Sequence, residues 1–254
     1  MSKRWPVGLV ALLLTLVTAS VVAAQVANNR VVLPFIAKNA VPVGTTPGPG
    51  PAPTPGPNPA PTPVPTTGLV VENDTSFTNG GDLFIVGELR NAGTTPFAEA
   101  GVQVRLFGAS GQRISADLDF AASFLEPLHP GERSCFEYVV QQPAGFATYT
   151  LTPSGVPTTG TPRSGLTAAG SGTSTDAEGF FHVTGTVRNT SSTEARNIRV
   201  VVTGYQSNGK VAGCGRWPGG RTGATLAPGQ SQTFDAPFIA AGPVARYEVR
   251  VQGR

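Results

Sequence analysis

The sequence predicts an all-β chain: two small antiparallel β-sandwiches in tandem, behind an export signal and a Pro/Thr-rich linker. Three observations predict it. The first is an internal repeat. Gly87-Glu88-Leu89-Arg90-Asn91 returns as Gly185-Thr186-Val187-Arg188-Asn189, 98 residues on and without a gap. At the same offset Val102 and Val104 fall on Val200 and Val202, Gly111 on Gly209, and Phe136 on Phe234. A constant offset with matches at apolar and turn positions writes one fold twice. The second is composition. Only 13% of residues are charged, against 32 Gly and 24 Pro, which suits short strands and many turns. The third is period-two alternation of apolar residues, with no amphipathic helical window after residue 25. The repeated positions are packing and turn residues. They define the kind of object this is, not the partner it serves.

Residues 1–24 read as a secretory signal peptide. Lys3 and Arg4 give the positive start, Val7 to Val22 is apolar, and Val22-Ala23-Ala24 supplies the small side chains that place cleavage before Gln25. The competing reading is an uncleaved anchor, since the apolar run nearly suffices to span a bilayer. The small-residue ending favours cleavage, and no cysteine stands there for a lipid. After cleavage no membrane contact is expected. Removing this segment takes away two of the 18 basic residues and none of the 15 acidic ones, so the net charge falls from +3 to +1. With no basic run elsewhere, nucleic acid is not an expected partner.

Residues 25–40 form a short apolar segment, densest over 30–39, read as a tail or as a strand that docks elsewhere. Residues 41–67 are almost entirely Pro, Thr, Gly and Ala, with no charge. Proline so dense removes donors and fixes φ, leaving an extended semi-rigid spacer. Its threonines suit O-linked sugar as well as they suit a bare linker.

The first repeat is placed at 68–153. Leu69-Val70-Val71 opens an edge strand, and Asn79-Gly80-Gly81 turns the chain into Asp82 to Arg90. There Leu83, Ile85, Gly87 and Leu89 share one face, taken as the core face. Gly87 inside a strand implies a large side chain crossing over it, and Gly185 implies the same in the second copy. The opposite face carries Phe84 and Val86, a candidate interface for which residues 30–39, the Leu69 strand's own loop and a separate partner are all possible covers. Val102, Val104 and Leu106 make the next inner face, Ser110-Gly111 and Pro130-Gly131 are turns, and Phe136, Tyr138 and Val140 alternate beyond them. A last strand holds Tyr149 and Leu151. After a linker at 154–165 that leaves the modules neighbouring but mobile, residues 166–254 repeat the plan. Phe181, Val183 and Val187 face inward there, with His182, Thr184 and Thr186 outward.

Six short strands in some 85 residues read as a small antiparallel sandwich. The order Gly-x-Val/Leu-Arg-Asn, Val-x-Val, an aromatic before a small-polar-Gly turn, Leu-x-Pro-Gly and Phe resembles the FxLYD domain. Those are bacterial immunoglobulin-like modules of exported proteins, and the resemblance covers most of both repeats. Val104-Arg105-Leu106-Phe107-Gly108 and Val202-Thr203-Gly204-Tyr205-Gln206 keep the aromatic but lose the first Phe and the Asp of the eponymous string. The resemblance implies an immunoglobulin-like fold and a secreted or cell-surface location. It carries no catalytic residues across.

Candidate chemistry is thin. His129 and His182 occupy unrelated positions, with Ala227 and Phe84 as their counterparts, so neither a triad nor a metal pair is expected. Asp117 and Asp119 are too few oxygens for calcium. Asn73 and Asn189 each begin a glycosylation tripeptide. Trp217, flanked by Arg216 and Arg221, either stacks on a sugar ring or folds back over the end of the sandwich. Cys135 and Cys214, one per repeat, invite a disulfide in an exported chain, while their places on separate modules argue for free thiols. No cofactor is expected. Two functions compete: a non-enzymatic surface protein for adhesion or assembly with extracellular proteins or glycans, and a carbohydrate-binding accessory module of a secreted hydrolase system. An enzyme comes a distant third.

Overall fold

A computed structural model describes residues 68–116, 119–162, 165–219 and 223–254, which fall in one compact unit. The signal peptide, the apolar segment and the 41–67 linker lie outside the described residues, as do Asp117 and Arg221. The described chain is nearly all β, with twelve antiparallel strands and no α-helix. The first repeat contributes β1 (Leu69–Asn79), β2 (Asp82–Asn91), β3 (Phe97–Gly108), β4 (Phe120–Ala122), β5 (Arg133–Gln141) and β6 (Phe146–Pro157). The second contributes β7 (Leu166–Thr175), β8 (Phe180–Asn189), β9 (Arg199–Tyr205), β10 (Val211–Arg216), β11 (Ser231–Ile239) and β12 (Arg246–Gln252).

Each repeat builds two three-stranded sheets. The orders are β1-β2-β5 and β4-β3-β6 in the first, and β7-β8-β11 and β10-β9-β12 in the second. The identical topology is the internal repeat in three dimensions. One correction concerns length: β6 runs through Ser154 to Pro157, into the stretch assigned to the linker, because residues 153–157 continue to pair with β3.

Alternation sets the cores. Leu83, Ile85 and Leu89 of β2 bury with Val102, Val104 and Leu106 of β3 and Phe136 of β5, so the first cluster draws on both sheets. Val183 and Val187 of β8 do the same with Val200 and Val202 of β9 and Phe234 of β11. The strand glycines are explained by their neighbours. Gly87 pairs with Phe136 across the ladder, and a methyl group there would stand 2.6 Å from Phe136 Cζ. Gly185 pairs with Phe234, whose Cζ would lie 2.5 Å from such a methyl. An aromatic ring lies across each glycine and fills the space a side chain would take.

The asparagine that closes each Gly-x-x-Arg-Asn run is a buried staple. Asn91 Nδ2 donates to the carbonyls of Thr95 and Leu128 at 2.8 and 3.0 Å. Asn189 Nδ2 donates to Thr193 and Leu226 at 2.8 and 2.9 Å. One side-chain amide thus ties the end of β2 or β8 to two loops, beside the backbone bridges Phe97–Leu128 and Ala195–Leu226. It also holds Asn189, 0% exposed, out of reach of glycosyl transfer to the folded chain. Local backbone repeats as well. Glu99 and Asn197, 98 residues apart, both adopt positive φ, at 49° and 50°.

Gly87→Ala is expected to lower stability by about 1–3 kcal/mol, since a ring packed on all sides cannot move off a new methyl. Gly87 is not among the positive-φ glycines, so alanine gains about 0.4–1 kcal/mol from a stiffer unfolded chain, too little to offset a clash of that size. Urea unfolding of wild type and variant checks it. An unchanged midpoint would remove Phe136 from its place over the glycine.

Candidate functional site

The two repeats are not mobile neighbours. The outer face of the β1-β2-β5 sheet lies against the outer face of the β10-β9-β12 sheet, with β10 crossing β1, β2 and β5 and with β9 against β5. A third buried cluster fills the space between them. It takes Val86 from β2, Cys135 from β5, and Phe124 and Leu125 from the loop after β4. From the second repeat come Val201, Tyr205, Val211 and Cys214. This corrects the reading of a free linker: a pair of repeats that buries a common apolar face moves as one body.

Alternation places these residues. Inward Ile85 and Leu89 force Val86 and Glu88 outward, and inward Val200 and Val202 force Val201 and Thr203 the same way. Of the candidate interface residues Phe84 and Val86, Val86 is therefore covered, and what covers it is the second repeat. Val86 is 0% exposed, while Phe84 stacks on Phe77 of β1 at 4.9 Å, half-buried at the margin. Cys214 belongs to a strand rather than the expected loop. Its flanking Gly213 and Gly215 leave β10 room to press on β11, where methyl groups would strike Phe238 and the Ala236 carbonyl. That close approach turns Cys214 to the opposite side, toward Cys135. The two are joined as a disulfide, with Cα atoms 5.8 Å apart and a sequence separation of 79. A loop of that length confers about 4 kcal/mol in the chain-entropy account.

The same face buries charge. Glu88, 0% exposed, accepts hydrogen bonds from Tyr205 Oη at 2.8 Å, Arg250 Nη1 at 3.2 Å and Asn73 Nδ2 at 3.3 Å. Two of these donors come from the other repeat. Burial, with the Glu88 carboxylate beside it, pushes the Tyr205 hydroxyl far above its ordinary range. Glu137, one step along β5 from Phe136, faces the second repeat beside Cys214, Arg216, Pro218 and Pro237. Burial raises its pKa to about 7, against the opposing pull of the Arg216 guanidinium.

At one end the interface opens into a cleft of about 1060 Å³. Its walls come from both repeats: Glu126, Pro127 and His129 on one side, and Arg199, Val201, Arg216 and Gln252 on the other. Gln252 of β12 braces it, accepting from the Glu126 amide at 2.9 Å and donating to the Pro127 carbonyl at 2.6 Å. Arg199 reaches Glu126 at 3.5 Å, and the Arg216 guanidinium lies 4.0 Å over the Phe124 ring. Trp217 also borders the cleft, but it folds back: it is 8% exposed and packs in the second core. It presents no ring face for a sugar. Arg221 itself lies outside the described residues.

The remaining candidates are placed as follows. His182 stands on the open face of the β7-β8-β11 sheet, with Nδ1 2.9 Å from Asp235 and Nε2 3.1 Å from Asp176, and these two hydrogen bonds raise its pKa. His129 is buried and far along the chain from it. Among the described residues no group of three or more His, Cys, Asp or Glu is arranged to hold a metal ion. No helix among them is long and apolar enough to cross a membrane. Sequence reasoning missed Glu88, Tyr205 and Gln252. The signal for Glu88 was its place beside Val86 on a face whose counterparts are threonines. No protein-family model matches the chain, and a search of curated proteins gives no significant match.

Two outcomes test the interface. Tyr205→Phe removes the shortest donor to a buried carboxylate and is expected to cost about 1–3 kcal/mol by urea unfolding. Glu137 supplies a pH dependence. Its folded pKa lies above its value in the unfolded chain, so the folded state holds the extra proton. Its contribution is full below about pH 4.5 and is lost as the pH rises to about 7. The stability difference between wild type and Glu137→Gln is therefore expected to shift against wild type across that window, by about 2–4 kcal/mol. A difference that stays flat with pH would place Glu137 in solvent.

Proposed function

We propose that this chain is an exported, non-enzymatic protein in which two FxLYD-type, immunoglobulin-like β-sandwich modules form one binding unit for the cell surface or its surroundings. The observation that carries the reading is the Cys135–Cys214 disulfide, shut between the repeats. Such a bond persists in oxidising compartments and is rare where thiols are kept reduced. The amino-terminal signal and the Pro/Thr spacer agree with export and with a module held away from its attachment point. The residues that the repeats share do packing work, which suits a scaffold that displays surface for adhesion or assembly. The accessory-module reading loses Trp217 as its contact and keeps only the cleft.

Purification from the producing cells tests export. The mature chain is expected outside the cytoplasm, with an amino terminus near Gln25 and no thiol that reacts with alkylating reagent after unfolding. Cytoplasmic protein with an intact Met1 and two reactive thiols would overturn the proposal.

A further inference from the structure

The two repeats fasten the same hairpin end in different ways. In the first, Phe77 of β1 and Phe84 of β2 are strand partners, and their rings stack at 4.9 Å with 11° between the planes. In the second, His182 stands at the place of Phe84. Its strand partners are Ser174 of β7 and Pro237 of β11, so no aromatic ring meets it across the ladder. Two carboxylates hold it instead, Asp176 and Asp235, where the first repeat has Thr78 and Glu137. The fold is content with a phenyl pair at this place, so it does not by itself require a group that titrates.

The three side chains form a link. Nε2 of His182 lies 3.1 Å from Asp176 Oδ2, and Nδ1 lies 2.9 Å from each oxygen of Asp235. Asp176 opens the turn of the β7–β8 hairpin. Its other oxygen accepts from the Phe180 amide at 2.8 Å, and its own amide donates to the Phe180 carbonyl at 3.0 Å. Asp235 belongs to β11. The ring therefore joins the hairpin turn to the strand on the far side of β8. The end it steadies carries Phe180, 39% exposed, and Phe181, whose ring lies 5.3 Å from Phe238 at the margin of the second core.

Proton chemistry decides whether the link holds. A carboxylate accepts and does not donate, so both ring nitrogens need a proton for both contacts to be hydrogen bonds. Neutral imidazole has one N–H. Its other nitrogen turns a lone pair on a carboxylate, and the link breaks whichever tautomer forms. The bond to Asp176, and then that to Asp235, raise the pKa of His182, while the contact with His182 lowers that of Asp176. Ser174, Thr184, Thr186, Thr233 and Pro237 on the same strands do not titrate; Glu178 lies in the turn and Arg188 toward the far end of β8. Glu137 of β5 borders the same small cavity as Pro237, and its pKa of about 7 makes it the group to be told apart from His182.

We propose that His182 is a proton-operated latch on the outward β7-β8-β11 face. Protonated, it ties the turn that begins at Asp176 to β11; neutral, it releases the hairpin end that carries Phe180 and Phe181. The closed form holds the proton more tightly, so closure is favoured in acid and is lost as the pH rises through the folded pKa of His182. The first repeat, pinned by two phenyl rings, has no such dependence. The latch goes beyond the proposed function and does not rest on it.

The test follows the isotope-labelled full chain by NMR from about pH 5 to about pH 8. His182 is expected to titrate at least ~0.5 unit above the same histidine in a peptide of residues 178–186, which is about 3-fold in proton affinity. Asp176→Asn should bring it back toward the peptide value and leave the turn mobile throughout. Backbone order parameters at Asp176 to Gly179 should fall as His182 loses its proton, in wild type and in Glu137→Gln alike, while those at Asn79 to Gly81 hold. A ring pKa no higher than the peptide's, or one that Asp176→Asn leaves unchanged, would overturn the proposal. So would a turn equally ordered at both ends of the range, or a change that disappears in Glu137→Gln. Ring titration and turn order are both read on the unsubstituted chain, so they decide the matter even where a variant fails to fold.

Discussion

Burial of Val86, Glu88 and Cys135 against Val201, Tyr205 and Cys214 is the contact on which the rest of the structure depends. A repeat of some 85 residues buries too little surface to be more than marginally stable alone. Sharing a face gives each repeat a second buried side. The three parts of the contact act differently. Apolar burial supplies strength but little direction, because Val86 and Val201 would tolerate a slip. Glu88 supplies register: a shifted stack takes its carboxylate away from Tyr205 and Arg250, and a buried charge stripped of partners costs about 3–5 kcal/mol. The disulfide supplies persistence, since it keeps the two sheets together through any local opening. The cleft depends on all three, because one wall belongs to each repeat.

Much of the fold was legible in the sequence for a simple reason. Period-two alternation and turn glycines are local, and two copies of the same message suppress the noise in either. Leu83, Ile85 and Leu89 were read inward and are inward; the rings over Gly87 and Gly185 follow from a rule about strand glycines, and Phe136 and Phe234 are those rings. The contact between repeats was not legible, and for an equally physical reason. Seeing that Phe84 and Val86 replace His182 and Thr184 shows that one face is covered, but not by what. The answering changes sit on another strand of the other copy, where Val201 stands for Gln103 and Thr203 for Arg105. Nothing local pairs a face of β2 with a face of β9.

Cys214 was hidden by the repeat itself. β4 and β10 hold the same place in their sheets, yet β4 begins at Phe120 and β10 at Val211, so the 98-residue offset fails there. A strand that has slipped along the sequence looks like a loop to any argument from alignment. Asn91 and Asn189 illustrate the converse. Their repetition marked them as structural, but a buried amide that ties two loop carbonyls is a tertiary device, and the local habits of asparagine point to a turn instead. Trp217 was open to both readings on sequence grounds, and burial decides between them.

The contact between the repeats is heterologous: the β1-β2-β5 face of one meets the β10-β9-β12 face of the other, and these are not equivalent surfaces. Such a contact has no symmetry to close it, and a chain of identical modules would propagate it without limit. The two outward faces of this pair differ in character from the faces that dock. The free β7-β8-β11 face carries His182, Thr184 and Thr186 where the buried one has Phe84, Val86 and Glu88, and His182 is engaged with Asp176 and Asp235. The free β4-β3-β6 face carries Gln103 and Arg105 where the buried one has Val201 and Thr203. Each end is thus the partner of a face that docks, rewritten in polar residues, as the terminal units of repeat arrays are. Difference between the copies is then as informative as identity. Shared residues build the module, one set of differences joins the two, and a second set makes the outward faces polar.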